Sequence, residues 1–178
     1  MEREKCTCSI SMMADHNAMC EACARQQSLP AGINVRPARA ADLDAMAALI
    51  AIIFAVEADF VVDAAKQRQG LAMFLEQPAG RCLLVAEIQE KVAGMCSAQL
   101  LISTAEGGWK AVVEDVVVAR EFQGQGVGRK MLTALEEWAA SQGVRRLDLL
   151  ADRDNQRGLG FYSRTGWKKT NLIALQKK

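Results

Sequence analysis

The spacing of apolar residues changes several times along the chain, and each spacing predicts a different element. Apolar residues three and four apart predict helices after Asp42 and Asp63, from Val127 to Gly143, and from Asn155 to about Thr165. Apolar and β-branched runs predict six strands, at residues 33–36, 81–88, 92–103, 109–119, 145–151 and 167–175. The resulting order, β-α-α-β-β-β-α-β-α-β, is typical of a mixed α/β (α+β) domain with an antiparallel meander in its first half.

Composition narrows the class of protein. The chain has 178 residues and a formal net charge of +1, so its charge gives no reason to expect binding to nucleic acid or to a membrane surface. No apolar run approaches the roughly 20 residues that span a bilayer, and none follows the charged N-terminus as in a secretory signal, so we expect a cytoplasmic protein. The composition changes near Pro30, which divides a Cys-rich extension, residues 1–30, from a domain over residues 31–178. Cys82 and Cys96 lie in apolar strands and are predicted to be buried, reduced thiols.

A glycine-rich turn lies between a predicted strand and a predicted helix, within residues 116–130. A helix that begins at such a turn presents unpaired N–H groups and the positive end of its dipole, which favour phosphate oxygens. The spacing excludes two common nucleotide loops. Gly124 is not followed by the Gly-Lys-Ser/Thr of a P-loop, and the third glycine of a dinucleotide loop is missing. Since such turns also occur for packing alone, the loop by itself leaves both interpretations open.

Gln123, Gly126 and Gly128 form the pattern Gln-x-x-Gly-x-Gly, which resembles the Q/R-x-x-G-x-G/A signature of the GNAT superfamily of acetyltransferases. The resemblance extends over about residues 33–176. It implies a mostly antiparallel central sheet with helices on both faces, whose fourth and fifth strands part to admit the pantetheine arm of acetyl-CoA. The residues that it assigns to the cosubstrate are Val116, Val117, Val118, Gln123, Gly124, Gln125, Gly126, Val127, Gly128, Arg129, Lys130 and Asn155.

A second motif follows in the order and spacing that the same family shows: Asn155, then Phe161-Tyr162, then Gly166-Trp167. By resemblance, Tyr162 is the general acid that protonates the CoA thiolate, a role that suits a phenol because it is neutral at cellular pH. Tyr162 is the only tyrosine in the chain. The alternative for Tyr162 is a half-buried core tyrosine. Asn155 is expected to bond the cofactor arm, to cap the following helix, or both.

Two glycines, Gly158 and Gly160, depart from the family pattern between Asn155 and Tyr162. Each costs a helix interior about 0.5–1 kcal/mol relative to alanine. Either this short helix is loose, or a close backbone contact requires the glycines, and the position of Tyr162 depends on which of the two holds.

Two adjacent carboxylates, Glu114 and Asp115, interrupt the apolar strand that leads into the glycine-rich turn. Because side chains alternate along a strand, we expect them to face opposite sides of the sheet, with only one facing the acceptor. By resemblance, Glu114 is the favoured base or amine anchor and Asp115 the alternative. A third interpretation is that one of them pairs with a basic group and only fixes local geometry. The resemblance also makes the backbone N–H of Val116 or of a near neighbour the donor to the thioester oxygen, and it gives Val118 backbone bonds to the pantetheine amides.

By resemblance, the acceptor is expected between the first two helices and the last strand pair, and the helical region there mixes aromatic and acidic residues. These residues are Phe54, Glu57, Asp59, Phe60 and Asp63. Such a lining suits a cationic amine with an apolar body, and it is equally typical of a solvated acidic helix end whose aromatic residues belong to the core. The pattern does not decide between them.

The N-terminal extension concentrates four cysteines, Cys6, Cys8, Cys20 and Cys23, around the only histidine, His16. Four thiolates suit tetrahedral zinc, and thiolates with thioethers suit Cu(I), so a thiophilic metal site is one interpretation. The other is a tail whose exposed cysteines oxidise readily. A metal there would let the extension sense metal or redox state and gate the enzyme.

Together these features predict an enzyme that transfers the acetyl group of acetyl-CoA directly to a primary amine of a small molecule or peptide, without a covalent intermediate. A non-catalytic GNAT-like sensor of acyl-CoA, metal or redox state is the alternative. The exposed strand edges of such a sheet leave a homodimer open as a further expectation.

Overall fold

In the computed structural model, which describes residues 32–55 and 60–177, the chain forms one five-stranded sheet flanked by four α-helices. The strands are β1 Asn34–Pro37, β2 Arg81–Ile88, β3 Lys91–Ser103, β4 Gly108–Val118 and β5 Val144–Leu149. The helices are α1 Leu43–Phe54, α2 Ala64–Glu76, α3 Val127–Ser141 and α4 Gln156–Arg164. The strands follow chain order in the sheet; β1 to β4 are antiparallel, and β5 is parallel to β4. The predicted mixed, mostly antiparallel fold is confirmed.

Helices cover both faces of the sheet, and each face has its own apolar core. On the face covered by α3, here called the α3 face, Met131, Leu132 and Leu135 pack against alternate residues of β2 and β3. On the other, the α1 face, Met46 and Ile50 pack against the intervening strand residues. Residues 93–98 of β3 are almost all buried because helices lie above and below them. This central strand is therefore covered on both faces, and it pairs with β4 along the edge opposite β2.

At several points, the residues that begin or end the helices and strands act as predicted. Asp63 accepts a hydrogen bond from the backbone N–H of Lys66 and caps α2. Asp42 precedes α1, but its carboxylate bonds Arg36 at 2.8 and 3.0 Å and makes no capping bond to the helix. A two-residue turn at Gln89 and Glu90, both at positive φ, closes the β2–β3 hairpin.

The predicted last strand, residues 167–175, is wrong: residues 167–177 form no strand. The apolar residues that indicated it, Leu172, Ile173 and Leu175, are 77–88% exposed. β-propensity measures how well a side chain fits a pleated, half-buried surface, and these three pack on none. Among the described residues, no helix is both long and apolar enough to cross a membrane.

Candidate active site

The centre of the site is the place where β4 and β5 part. The two strands pair from Trp109 and Val144 to Val113 and Leu149, where β5 ends. β4 continues over residues 114–118 with only β3 beside it among the described strands. We call this unpaired edge of β4 the β4–β5 gap. It matches the slot that the family resemblance implied.

A β-bulge places both carboxylates of β4 on the same face. Between the pairs Met95–Val117 and Ser97–Glu114, β4 has one residue more than β3, and Asp115 has φ +52°. Gln99 Nε2 donates to Glu114 at 3.2 Å, and Ser97 Oγ lies 3.4 Å from Asp115 Oδ2. Ser97 and Gln99 are alternate residues of β3 and follow Met95 on the α1 face. The prediction that Glu114 and Asp115 face opposite sides is therefore wrong, because the bulge interrupts the alternation.

The two carboxylates differ in their surroundings. Glu114 is exposed and bonded to the Gln99 amide, whereas Asp115 is half-buried beside the Ser97 hydroxyl. Burial and the negative charge of Glu114 raise the pKa of Asp115 to about 6, while the Ser97 hydrogen bond acts in the opposite direction. A carboxylate with a pKa near 6 is ionised at neutral pH and is a stronger base than an ordinary aspartate.

Sequence reasoning missed Ser97, which is 1% exposed. Its Oγ lies 3.2 Å from the carbonyl oxygen of Glu114 as well as 3.4 Å from the Asp115 carboxylate. The available signal was a serine among apolar residues of a buried strand, since buried hydroxyls need partners.

The glycine-rich turn leads into α3 through two residues in the left-handed conformation. Gly124 and Gly126 have φ of +80° and +85°, a region that glycine enters without steric cost. Gly126 occupies the N-cap position of α3, so the backbone N–H groups of Val127, Gly128 and Arg129 have no carbonyl acceptor within the helix. The turn therefore offers the anion-binding end of a 15-residue helix.

The polar side chains of the turn support its own backbone. Gln123 Nε2 donates to the carbonyl oxygen of Val118 at 2.8 Å, and Gln125 Nε2 donates to the carbonyl of Glu121 at 2.8 Å. The exposed side chains of Arg129 and Lys130 line an open cavity of about 360 Å³ between α3 and β1.

The backbone of β4 points two residues at the gap. The N–H of Ala119 donates to Ala93 of β3 at 2.8 Å. Because successive residues of a strand direct their N–H and C=O groups to opposite edges, those of Val116 and Val118 point away from β3. The bond from Gln123 to the Val118 carbonyl agrees with this direction.

Helix α4 brings Tyr162 to the α3 face. The Tyr162 ring is half-buried, with ring centroids 5.4 Å from Phe161 and 6.2 Å from Trp167, and it packs on the α3-face core together with Val116 and Val118. Phe161 in turn lies against α3. A Cβ added at Gly128 would come 3.1 Å from Phe161 Cζ. The turn motif and the Phe-Tyr motif, distant in sequence, are thus in contact.

Asn155 forms the N-cap of α4, and its Oδ1 accepts from the N–H of Gly158 at 2.9 Å. A Cβ at Gly158 would lie 2.7 Å from Asn155 Nδ2, whereas one at Gly160 would meet only the end of the Arg164 side chain. The close contact that the sequence left open therefore exists at Gly158.

A family model described as the Acetyltransferase (GNAT) family matches residues 59–167, more than half of the chain. The chain belongs to the GNAT acetyltransferase family. The matched residues include the carboxylate pair, the glycine-rich turn and the Phe-Tyr motif of this GNAT domain.

Individual relatives are more distant. The "Uncharacterized N-acetyltransferase YycN" of Bacillus subtilis (strain 168) is 29% identical over 68 residues, which are 38% of this chain and 44% of that protein. The chain thus spans less than half the length of this curated relative. A glucosamine-6-phosphate N-acetyltransferase from Arabidopsis thaliana is 18% identical over 82% of this chain and 98% of its own, with a TM-score of 0.66. An aminoglycoside acetyltransferase from an uncultured soil metagenomic sample, in complex with trehalose, is 21% identical over 82% of this chain and 95% of its own, also with a TM-score of 0.66. These structures share the fold.

In the GNAT domain, the structure describes only part of the aromatic and acidic lining that was predicted for the acceptor. Phe54 and Phe60 stack at 5.0 Å, and Asp63 is engaged in capping α2. Glu57 and Asp59 lie outside the described residues, as do His16 and the predicted metal ligands Cys6, Cys8, Cys20 and Cys23.

Metal and thiol chemistry gain no support from the part of the GNAT domain that the structure describes. Its described residues contain no cluster of His, Cys, Asp and Glu that would hold a metal ion. Cys82 and Cys96 are free and buried, as predicted. Burial raises the pKa of Cys82 to about 12 and that of Cys96 further, so neither thiol is a nucleophile at neutral pH.

Proposed function

We propose that the protein is an acetyl-CoA-dependent N-acetyltransferase that transfers the acetyl group directly to a primary amine of a small molecule or peptide. The observation that carries the proposal is the β4–β5 gap. Glu114 and Asp115, which lie on the strand that borders it, reach the α1 face, and Tyr162 packs on the same α3-face core as Val116 and Val118 of that strand. An amine and a thioester that meet in the gap would each have a proton-transfer group on its own side.

The α3 face suits the donor. The positive φ values of Gly124 and Gly126 leave the backbone free of side chains at the start of α3, where three N–H groups lack intrahelical partners. These groups would hold the pyrophosphate, with charge from Arg129 or Lys130 nearby. The N–H groups of Val116 and Val118 would bond the thioester oxygen and a pantetheine amide, because an unpaired strand edge accepts amides as a further strand would.

The reaction that follows from this arrangement has one acyl-transfer step. The neutral amine nitrogen attacks the thioester carbonyl carbon, the carbon–sulfur bond breaks, and the sulfur leaves as a thiolate. One carboxylate of the Glu114–Asp115 pair takes the proton that the amine nitrogen loses, and the Tyr162 hydroxyl gives a proton to the thiolate. No side chain needs to become acylated.

The experiment is calorimetric titration with acetyl-CoA, followed by a thiol-release screen over amines of varied charge and size. Binding with turnover supports the proposal. Binding without turnover on any amine would favour a sensor, and an absence of binding would contradict the assignment of the turn to pyrophosphate. Tyr162→Phe should lower turnover by about 10²- to 10⁴-fold while acetyl-CoA affinity stays within a few-fold, since only the proton donor is removed. An equal loss of affinity would show that Tyr162 only maintains structure.

A further inference from the structure

Ser97 has one hydroxyl proton and two acceptors for it. Its Oγ lies 3.2 Å from the carbonyl oxygen of Glu114, at the start of the bulge, and 3.4 Å from Oδ2 of Asp115. The side chain is 1% exposed, so water does not supply a substitute partner.

This geometry serves both protonation states of Asp115. When Asp115 is ionised, the hydroxyl proton is drawn to the carboxylate, because hydrogen bonds to charged acceptors are stronger than those to neutral ones. When Asp115 is protonated, its O–H can donate to Ser97 Oγ while Ser97 donates to the Glu114 carbonyl. Proton uptake by Asp115 therefore leaves no buried hydroxyl without a partner.

Few charges face Asp115 from the elements around it. On its own strand Glu114 is adjacent, and β3 presents Ser97 and Gln99, which are not titratable, on the same face. Among the described residues of α1, Asp44 is the one charged side chain, and it pairs with Arg68 of α2. On β5, Asp148 is already paired with Lys110 and Arg146. The immediate controls on Asp115 are thus Glu114 and Ser97.

We propose that Asp115, not Glu114, accepts the proton of the incoming amine, and that Ser97 is the positioning residue that holds Asp115 for this step. The proposal rests on the proposed function and assigns its base. Glu114 then acts through its negative charge, which raises the pKa of Asp115, and the Gln99 amide holds the Glu114 carboxylate by a hydrogen bond.

The test is the pH profile of kcat/KM, measured with two acceptor amines of different pKa. The fall of kcat/KM at low pH that stays in place when the amine is changed belongs to the enzyme and is called the acid limb. That limb should lie near pH 6 in the unaltered protein. Ser97→Ala should move it upward by about one pH unit, because a hydrogen bond to the charged form is lost. Glu114→Gln should move it downward, because a like charge is removed. Ser97→Thr, which keeps the hydroxyl, should restore the original limb.

Cys96→Ala is the matched control, because Cys96 is equally buried one residue away but faces α3. It should change thermal stability without moving the limb. An acid limb that persists in Asp115→Asn, or that Ser97→Ala leaves in place, would overturn the proposal.

A readout that does not need turnover separates this inference from the proposed function. The ¹³C carboxyl resonance of Asp115, identified by its loss in Asp115→Asn, should titrate near pH 6 and move upward in Ser97→Ala. A carboxyl titration that Ser97→Ala leaves unchanged would refute the role of Ser97. The expected shift together with no turnover on any amine would refute the proposed function, and with it the role of Asp115 as base.

Discussion

Alanine at Gly158 and at Gly160 should have different effects on stability, although the two glycines lie two residues apart in α4. Replacing glycine by alanine in a helix contributes about 0.5–1 kcal/mol. At Gly160 the new Cβ meets only Arg164 Nη1, at 3.3 Å, which is the end of a flexible side chain. Gly160→Ala should therefore raise the free energy of unfolding by most of that amount.

At Gly158 the same gain is offset by a loss. The new Cβ would lie 2.7 Å from Asn155 Nδ2 and 3.1 Å from Oδ1, so the capping side chain must leave its place. Losing an N-cap costs about 1 kcal/mol. We expect Gly158→Ala to be near neutral or mildly destabilising, about 1 kcal/mol below Gly160→Ala, which corresponds to roughly 2–4 °C in Tm for a chain of this size.

Urea and thermal unfolding of three further variants, Asn155→Ala alone and in each glycine-to-alanine background, completes the test. Asn155→Ala alone should cost about 1 kcal/mol, and it should cost as much again in the Gly160→Ala background. In the Gly158→Ala background it should cost almost nothing, because the cap is already displaced. If Gly158→Ala stabilises as much as Gly160→Ala, or if Asn155→Ala costs the same in both backgrounds, the capping contact is not what requires Gly158.

Three further outcomes follow from single contacts. Gly126→Ala and Gly143→Ala, at φ +85° and +71°, should each lower the free energy of unfolding by about 1–2 kcal/mol. Calorimetry should show weaker acetyl-CoA binding only for Gly126→Ala, because Gly143 follows the other end of α3, far from the turn. Equal affinities of the two variants would contradict the assignment of the turn. Gly94→Ala should lower the free energy of unfolding by about 1–3 kcal/mol in urea, since its Cβ would lie 2.8 Å from a β4 carbonyl oxygen, and an unchanged midpoint would disprove that approach. The hydrogen bonds from Arg36 lower the pKa of Asp42 below 3.8, so the stability that they contribute is complete above about pH 4 and is lost as the pH falls further. Asp42→Asn should therefore flatten the acid part of the curve of unfolding free energy against pH. An unaltered slope would exclude this linkage.

Much of the fold was predictable because its elements carry local signals. The bounds of β2 match the predicted strand, and Asp63 and Gly143 act where their residue types indicate. The missing last strand shows the limit of such patterns. A run of apolar and β-branched residues predicts a tendency to be buried, but it does not supply a neighbouring strand or a core to be buried against.

In the candidate site, the residue types were predictable and their orientation was not. Period-two alternation placed Glu114 and Asp115 on opposite faces, and one extra residue in β4 brought both to the α1 face. The sign of φ at Asp115 cannot be read from the sequence, although aspartate adopts positive φ more readily than most residues. Ser97 was missed for a related reason, because its significance comes from a partner on another strand.

The gap between β4 and β5 also bears on how such a protein diversifies. On the proposed function, the donor is gripped from one side of the sheet and the acceptor is presented from the other, so the two requirements draw on separate stretches of chain. Substitutions in α1 and α2 can then change which amine is accepted without altering the turn at Gly124 and Gly126. A chain built this way can acquire a new acceptor while it keeps its donor.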